Sequence, residues 1–243
     1  MQTHRILLLN LGYETGLDGS LRSYVTQSWR YLHTPDSVIQ SIHKGFQTLI
    51  QNVQPDICCL LEMHHDPALV KSFGAYRCKH IDPKYGKTSM LRRLPFFRDN
   101  CNGIFGVDRL PCRAREFRHG TKKLLYDVTI GSDLSLLVGH FSLHASVRQQ
   151  QFAEIAGIVQ NRKRTIVCGD FNDYGGMKEL SPLLKSTDLR IVRPAQNATF
   201  PACHPRRPLD LFLCSKEIQH VHAEVLTDVH LSDHLPVLLT VTA

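Results

Sequence analysis

The chain has 243 residues, 42% hydrophobic and 21% charged, with 29 basic against 22 acidic side chains and a net charge of +7. That is enough apolar material for a sizeable core and excludes a disordered or low-complexity chain. The positive balance favours anionic partners such as phosphoesters, nucleic acid or acidic lipid surfaces, and says nothing about fold.

No segment approaches the roughly 20 consecutive apolar residues of a membrane span. The opening stretch from Met1 to Asn10 lacks the apolar length and small-residue cleavage site of a signal peptide. Eight cysteines, at 58, 59, 78, 101, 112, 168, 203 and 214, contain no Cys-x-x-Cys pair. Cys58, Cys59, Cys168 and Cys214 sit in apolar runs, where a free thiol packs as a small hydrophobe. A reduced, soluble, cytoplasmic protein is expected.

In chain order, residues 5–10 read as a buried strand that delivers Asn10 at its end, with Gly12 breaking the run. Residues 13–36 read as a long loop with at most a helical turn. From Asp36 the apolar residues Ile39, Ile42, Phe46, Leu49, Ile50 and Val53 recur every three or four positions, which predicts a helix that Pro55 ends. A second buried strand, 56–62, ends in Glu62. A short helix is expected at 68–73, a strand near 75–81 and a loop over 82–101. Strands follow at 102–106, 113–117, 123–130 and 134–141, the last two joined by a Gly131-Ser132-Asp133 turn. An amphipathic helix spans 147–159, and a helix is expected at 177–185. Further strands are expected near 165–170, 209–214, 218–226 and 236–241. Helices interleaved with hairpins, without a dividing linker, predict one α/β domain over residues 1–243 with mixed sheets.

Buried strands usually end in turn residues. Here they end in chemistry: Asn10, Glu62, His140, Asp170 with Asn172, and Asp233 with His234. Asp170 and Asn172 are spaced to leave one face of an extended strand, with Phe171 on the other. Asp210 interrupts an apolar strand, where a charge is costly unless paired, so a histidine or a metal is its expected partner. Each residue alone has an ordinary reading as a turn residue, a solvated strand end or a satisfied core histidine. Together they require too many coincidences.

With Ser232-Asp233-His234 joined to Gly169-Asp170-Phe171-Asn172, the sequence resembles the endonuclease/exonuclease/phosphatase superfamily with its deoxyribonuclease-I-like fold. Asn10 matches the asparagine after the first strand, and Glu62 the metal-binding glutamate. His140 stands at a Thr-His-Leu-like element, here Gly139-His140-Phe141, followed by Arg148 and Gln151 in an Arg-x-x-Gln spacing. Arg207-Pro208-Leu209-Asp210 matches the segment whose aspartate orients the catalytic histidine. The resemblance implies a four-layer αββα sandwich of two mixed sheets flanked by helices. It also implies a phosphoesterase that hydrolyses a phosphodiester by metal-assisted attack of an activated water. Glu62, with Asn10 and Asp233, would hold Mg²⁺, or Mn²⁺ in its place. Asp170 would orient the water and Asn172 would hold water or phosphate. His234, set by Asp210, would be a base or a protonated clamp, and His140 would donate to phosphate or leaving oxygen. Arg148 and Arg207 would bind substrate. Some relatives carry an acidic ligand where this chain has Gly12, which argues against a two-metal site.

Two features bear on the substrate, which could be DNA, RNA, an anionic phospholipid or a small phosphoester. Arg92, Arg93, Arg98, Arg109, Arg113, Arg115, Arg118, Lys122 and Lys123, with Phe96 and Phe97 among them, could track a nucleic-acid backbone or dock on an acidic membrane. The stretch from Asn197 to Pro201, ahead of Arg206 to Asp210, resembles compact bacterial-type hydrolases of the same superfamily. A catalytically silent scaffold binding phosphate-bearing partners is the alternative from another class. Zinc binding by His64, His65, His140 and His144 lacks a tetrahedral set.

Overall fold

The apolar runs become strands because the chain builds two sheets, each covered on both faces. The computed structural model describes residues 2–86 and 89–242, and for residues 92, 93, 95 and 96 the backbone alone. In chain order the elements begin with β1 (Thr3–Asn10), α1 (Leu21–Gln27), α2 (Asp36–Val53), β2 (Ile57–His64), α3 (Pro67–Lys71) and β3 (Cys78–Pro83). Next come α4 (Pro95–Arg98), β4 (Asn100–Gly106), β5 (Cys112–Glu116), β6 (Leu124–Ile130), β7 (Leu134–His140) and α5 (Ala145–Val159). The chain closes with β8 (Arg164–Asp170), α6 (Met177–Ser186), β9 (Leu189–Ile191), β10 (Asp210–Ser215), β11 (His220–Val225) and β12 (Val237–Thr242).

The first sheet runs β11-β12-β1-β2-β4-β3 and the second β5-β6-β7-β8-β10-β9. Both are mixed: β1 and β2 pair in parallel, as do β7 and β8, while the remaining pairs are antiparallel. In β1, Ile6 and Leu8 enter the core between the sheets, and Leu7 and Leu9 face α2 through Ile42, Phe46 and Leu49. On the far side, Leu137, Val167 and Leu213 of the second sheet meet Phe152 and Ile155 of α5 and Leu180 and Leu183 of α6. The result is the four-layer αββα sandwich. Each such side chain, fully buried, contributes about 1.5–3 kcal/mol over leaving it exposed.

The differences from expectation lie in the loops. The 13–36 segment contains α1 as well as 3₁₀ turns at Gly12–Glu14 and Ser28–Tyr31. The Ser20 hydroxyl caps α1 by accepting from the Ser23 amide at 3.0 Å. The third strand starts at Cys78 rather than Ala75. α4 and β9, of four and three residues, are too short to leave a periodic signature. All eight cysteines are free. Among the described residues, no helix is long and apolar enough to cross a membrane.

Candidate active site

The two sheets present their functional strand ends to a common edge of the sandwich. The second sheet supplies three adjacent groups. His140 ends β7 directly beside Asp170, its parallel partner on β8, and Asp170 in turn lies opposite Asp210 on β10. This close approach depends on Gly169: a Cβ there would lie 1.7 Å from the Gly139 carbonyl oxygen.

The first sheet supplies Asn10 and Glu62. The β2–β4 register shifts between Leu60 and Met63, and Glu62 sits in this bulge with φ 49°. The bulge lifts Glu62 out of the ladder and re-aims its carboxylate, as bulges beside sites commonly do. Its amide is not lost, because it donates to Asn102 Oδ1 at 3.1 Å.

Asn10 Nδ2 donates to Asp170 Oδ2 at 3.1 Å and joins the sheets across the site. Asp170 Oδ1 accepts from the Asn172 amide at 2.9 Å. The expectation that Asp170 and Asn172 share a strand face needs correction. β8 ends at Asp170, and Asn172 has left-handed backbone, φ 49°, so a turn rather than strand alternation holds them together. The Asn172 side-chain amide donates to the Phe141 carbonyl at 3.0 Å, which leaves its oxygen available to the site.

His234 Nδ1 contacts Asp210 Oδ2 at 2.7 Å. The same carboxylate oxygen accepts from Thr199 Oγ1 at 2.7 Å, and the Phe200 ring packs on the imidazole with centroids 4.9 Å apart. The stretch from Asn197 to Pro201 is therefore a support for Asp210 and His234. Burial opposes charge on His234, but the Asp210 carboxylate, then Asp170 and Asp233, lift its pKa to about 10. His234 is an imidazolium at neutral pH.

Two lysines complete the site, and neither was expected there from the sequence. Lys84 Nζ lies 2.7 Å from Glu62 Oε1, beneath the Tyr13 ring at 4.4 Å, with its side chain 2% exposed. Lys122 Nζ lies 3.8 Å from the same oxygen and meets His140 Nε2. Burial pushes Glu62 up to about 7, Lys122 opposing and Asp233 and Asp170 adding to the rise. Burial, reinforced by the charge of Lys122, pushes Lys84 well down. Burial and the two lysines hold His140 well below the usual histidine range, so its ring is neutral. Burial also raises Asp170, with His234 opposing. In the sequence Lys84 lies in the segment 82–101 read as a loop, and Lys122 in the basic stretch read as a track for a nucleic-acid backbone or an acidic membrane.

Asp233 Oδ2 accepts from the Tyr24 hydroxyl at 2.6 Å, which brings α1 to the rim. Gly12 has φ +52°, and a Cβ there would lie 2.7 Å from Asp233 Oδ1. An acidic side chain at position 12 thus has no room while Asp233 occupies this place.

Arg148 is not where the sequence reading needs it. It is 1% exposed, and its guanidinium is spent on the Ser142 and Leu143 carbonyls, at 2.7 and 3.0 Å, and on Glu179. It braces the loop after His140 and has no free face for substrate. Gln151 does the same work nearby, accepting from the Ser142 amide at 2.9 Å. Arg207 is at the rim: its guanidinium donates to the Tyr174 carbonyl at 3.2 Å and lies over the Tyr174 ring.

The basic stretch does not make one track. Lys122 turns into the site, Arg115 pairs with Asp127 at 2.7 Å, and Arg109 lies in the turn after β4, at the opposite end of the sheet. The side chains of Arg92, Arg93 and Phe96 lie outside the described residues. A separate group, Glu14, His43 and Asp66, brings three ligand atoms within 4.8 Å of one another. Its hydrogen bonds are internal: Glu14 pairs with His43 at 2.9 Å and accepts from the His64 amide at 3.2 Å, and Asp66 accepts from the Ala68 amide. The zinc set considered among the other histidines does not appear among the metal-capable groups of the described residues.

Comparison with known proteins agrees with this architecture. No curated protein matches the sequence. Solved structures of similar fold include the human Nocturnin catalytic domain with bound sulfate anion, with a TM-score of 0.70 at 17% identity over 99% of this chain and 93% of that one. Truncated Caenorhabditis elegans TDP2 gives 0.66 at 16% identity, covering 99% and 98%. Sphingomyelinase C from Streptomyces griseocarneus gives 0.67 at 14% identity, covering all of both chains. At these identities the likeness shows the fold alone. The model of the endonuclease/exonuclease/phosphatase family matches residues 43–234, most of the length and nearly every group described above. The chain belongs to the endonuclease/exonuclease/phosphatase family.

Proposed function

We propose that the protein is a divalent-metal-dependent phosphoesterase that hydrolyses a phosphodiester by attack of an oriented water. The observation that carries this reading is the convergence of the Glu62 carboxylate with the Asp210–His234 pair around Asp170. The donor chemistry suits a hard cation. Glu62, Asp170 and Asp233 are close enough that two of them raise the pKa of the third, and the groups that face Glu62 are the amines of Lys84 and Lys122. Such a cluster of oxygen donors is relieved by Mg²⁺ or Mn²⁺. Glu62, with Asn10 and Asp233 beside it, would hold the ion. When bound, it supplies charge to offset that developing on phosphate and leaving oxygens.

The remaining work belongs to the chain. His234 is held charged by Asp210, so it acts as a clamp on a phosphate oxygen rather than as the base. Asp170 has its Oδ1 fixed by the Asn172 amide and its Oδ2 by Asn10; it orients the attacking water and takes the proton that the water loses as its oxygen bonds to phosphorus. The Asn172 side-chain oxygen assists in holding that water. His140 is neutral and contacts Lys122, so it positions the ammonium, which then donates to the leaving oxygen. Arg207 at the rim meets the substrate's second phosphate substituent. Preorganised donors of this kind are worth about 10²–10³-fold each.

The test is a panel of plasmid DNA, RNA, phospholipid vesicles and a soluble aryl phosphodiester, each with Mg²⁺ and with EDTA. Hydrolysis of at least one diester, abolished by EDTA, is the expected result. Specific binding of phosphate compounds without turnover would favour the silent scaffold.

A further inference from the structure

The large apolar side chains that the fold leaves in water are not scattered. Among the described residues eleven large hydrophobics are exposed, and all but Val107 lie on the segments that follow Asn10, Lys84, His140 and Asp170, the groups that build the site. Val107 alone is at the opposite end of the sandwich, after β4. On α1 and the turn after it, Leu21, Val25 and Leu32 are exposed, the first two at 80% and 74%. Met90, at 76%, and Leu94 stand before β4; Leu143 follows β7, and Met177 opens α6. α1 is fixed against the site by Tyr24 on Asp233. The apolar groups therefore form a collar around the catalytic mouth. Isolated exposed leucines need no explanation, but a collar confined to one functional edge does.

The collar also carries cations. Among the described side chains between residues 89 and 99, Arg98 is exposed at the end of α4, beside Asp99. Exposed Arg22, Lys178 and Arg207 lie on the same segments as the apolar groups or beside them. Seven of the ten collar residues are aliphatic, whereas binding of single-stranded nucleic acid relies on aromatic faces for stacking. Aliphatic and basic groups side by side, with Trp29 and Tyr31 among them, are the mixture that enters the headgroup region of an acidic bilayer.

We propose that the catalytic mouth docks on an anionic phospholipid surface, and that its substrate is a phosphodiester carried by a lipid in that surface. This rests on the phosphodiesterase reading for the chemistry, but the docking stands on the collar alone. A lipid headgroup brings its phosphate to Glu62, Lys122 and His234 while its neighbours' chains cover Leu21, Val25, Met90 and Leu143. A second copy of this chain in the same place would close the site.

The experiment measures sedimentation of the full chain, in EDTA so that nothing is hydrolysed, with vesicles of phosphatidylcholine alone and of phosphatidylcholine mixed with phosphatidylglycerol. The expected result is binding to the mixed vesicles, weakened about tenfold or more by Leu21→Asp with Val25→Asp. That variant should keep hydrolysis of a soluble aryl phosphodiester within about twofold, since neither residue touches the site. A Leu143→Asp variant, on a different element, should show the same separation. No binding of the wild-type chain to mixed vesicles, or binding unaffected by both variants, overturns the proposal. So does single-stranded RNA that binds in place of vesicles and is lost with the same substitutions. Failure to cleave any soluble diester would count against the phosphodiesterase reading instead, and the vesicle result would still decide the docking.

Discussion

Asp210 and His234 face each other at 2.7 Å inside the sandwich, and the Asp210 oxygen that makes this contact is also held by Thr199. The carboxylate thus fixes both the ring and its charge. Asp210→Asn should lower kcat by about 10²–10⁴-fold with a smaller change in KM. It should also move the alkaline limb of the pH profile downward from about 10, because the charge that keeps the proton on His234 is gone. The sign for stability follows. A histidine whose pKa rises from 6.5 to about 10 on folding stabilises the fold fully below 6.5, and that contribution is lost as pH rises through about 10. Denaturant midpoints at several pH values, wild type against Asp210→Asn, check it.

Lys122 is the second group to test. Its ammonium sits between His140 and Glu62, where it has no role in covering the core. Lys122→Met should reduce kcat by about 10²–10³-fold while leaving the thermal midpoint close to wild type. Parallel kinetics and thermal melts separate the two readouts.

Metal affinity should depend on pH through Glu62. Burial places its pKa at about 7, so it is ionised and able to hold a cation above that value and protonated below. Mn²⁺ binding followed by electron paramagnetic resonance should weaken about tenfold per pH unit below 7. Glu62→Gln should remove both the binding and its pH dependence.

Arg148 should matter for stability rather than for substrate. It is almost fully buried, and its removal leaves Glu179 and two loop carbonyls without their partner. Arg148→Ala should cost about 3–5 kcal/mol in urea unfolding. A stable variant with only a raised KM would restore the substrate-binding role.

The strands and both long helices were legible because burial on two faces writes itself as unbroken apolar runs, and burial on one face as a three-to-four spacing. The strand-end polar groups were legible for the same reason: Asn10, Glu62, His140, Asp170 and Asp210 interrupt or terminate such runs. What the sequence could not convey was aim. Glu62 reaches the site through a bulge and Asn172 through a left-handed turn, and neither has a spacing of its own. Lys122 was hidden beside Arg113 and Arg118, which stay in solvent, and Lys84 in a segment read as a loop, since only tertiary packing distinguishes a buried amine from an exposed one. Arg148 misled in the opposite sense: an arginine after the site histidine has the chemistry of a phosphate ligand, but the helix carries it underneath.

The most direct test of the account is the initial rate of hydrolysis of a soluble aryl phosphodiester by the wild-type chain with Mg²⁺, with EDTA, and after Asp170→Ala or His234→Ala. The account predicts turnover with Mg²⁺ that EDTA abolishes and that either substitution lowers by about 10²-fold or more. Turnover that survives EDTA, or that both variants retain at the wild-type rate, would contradict it.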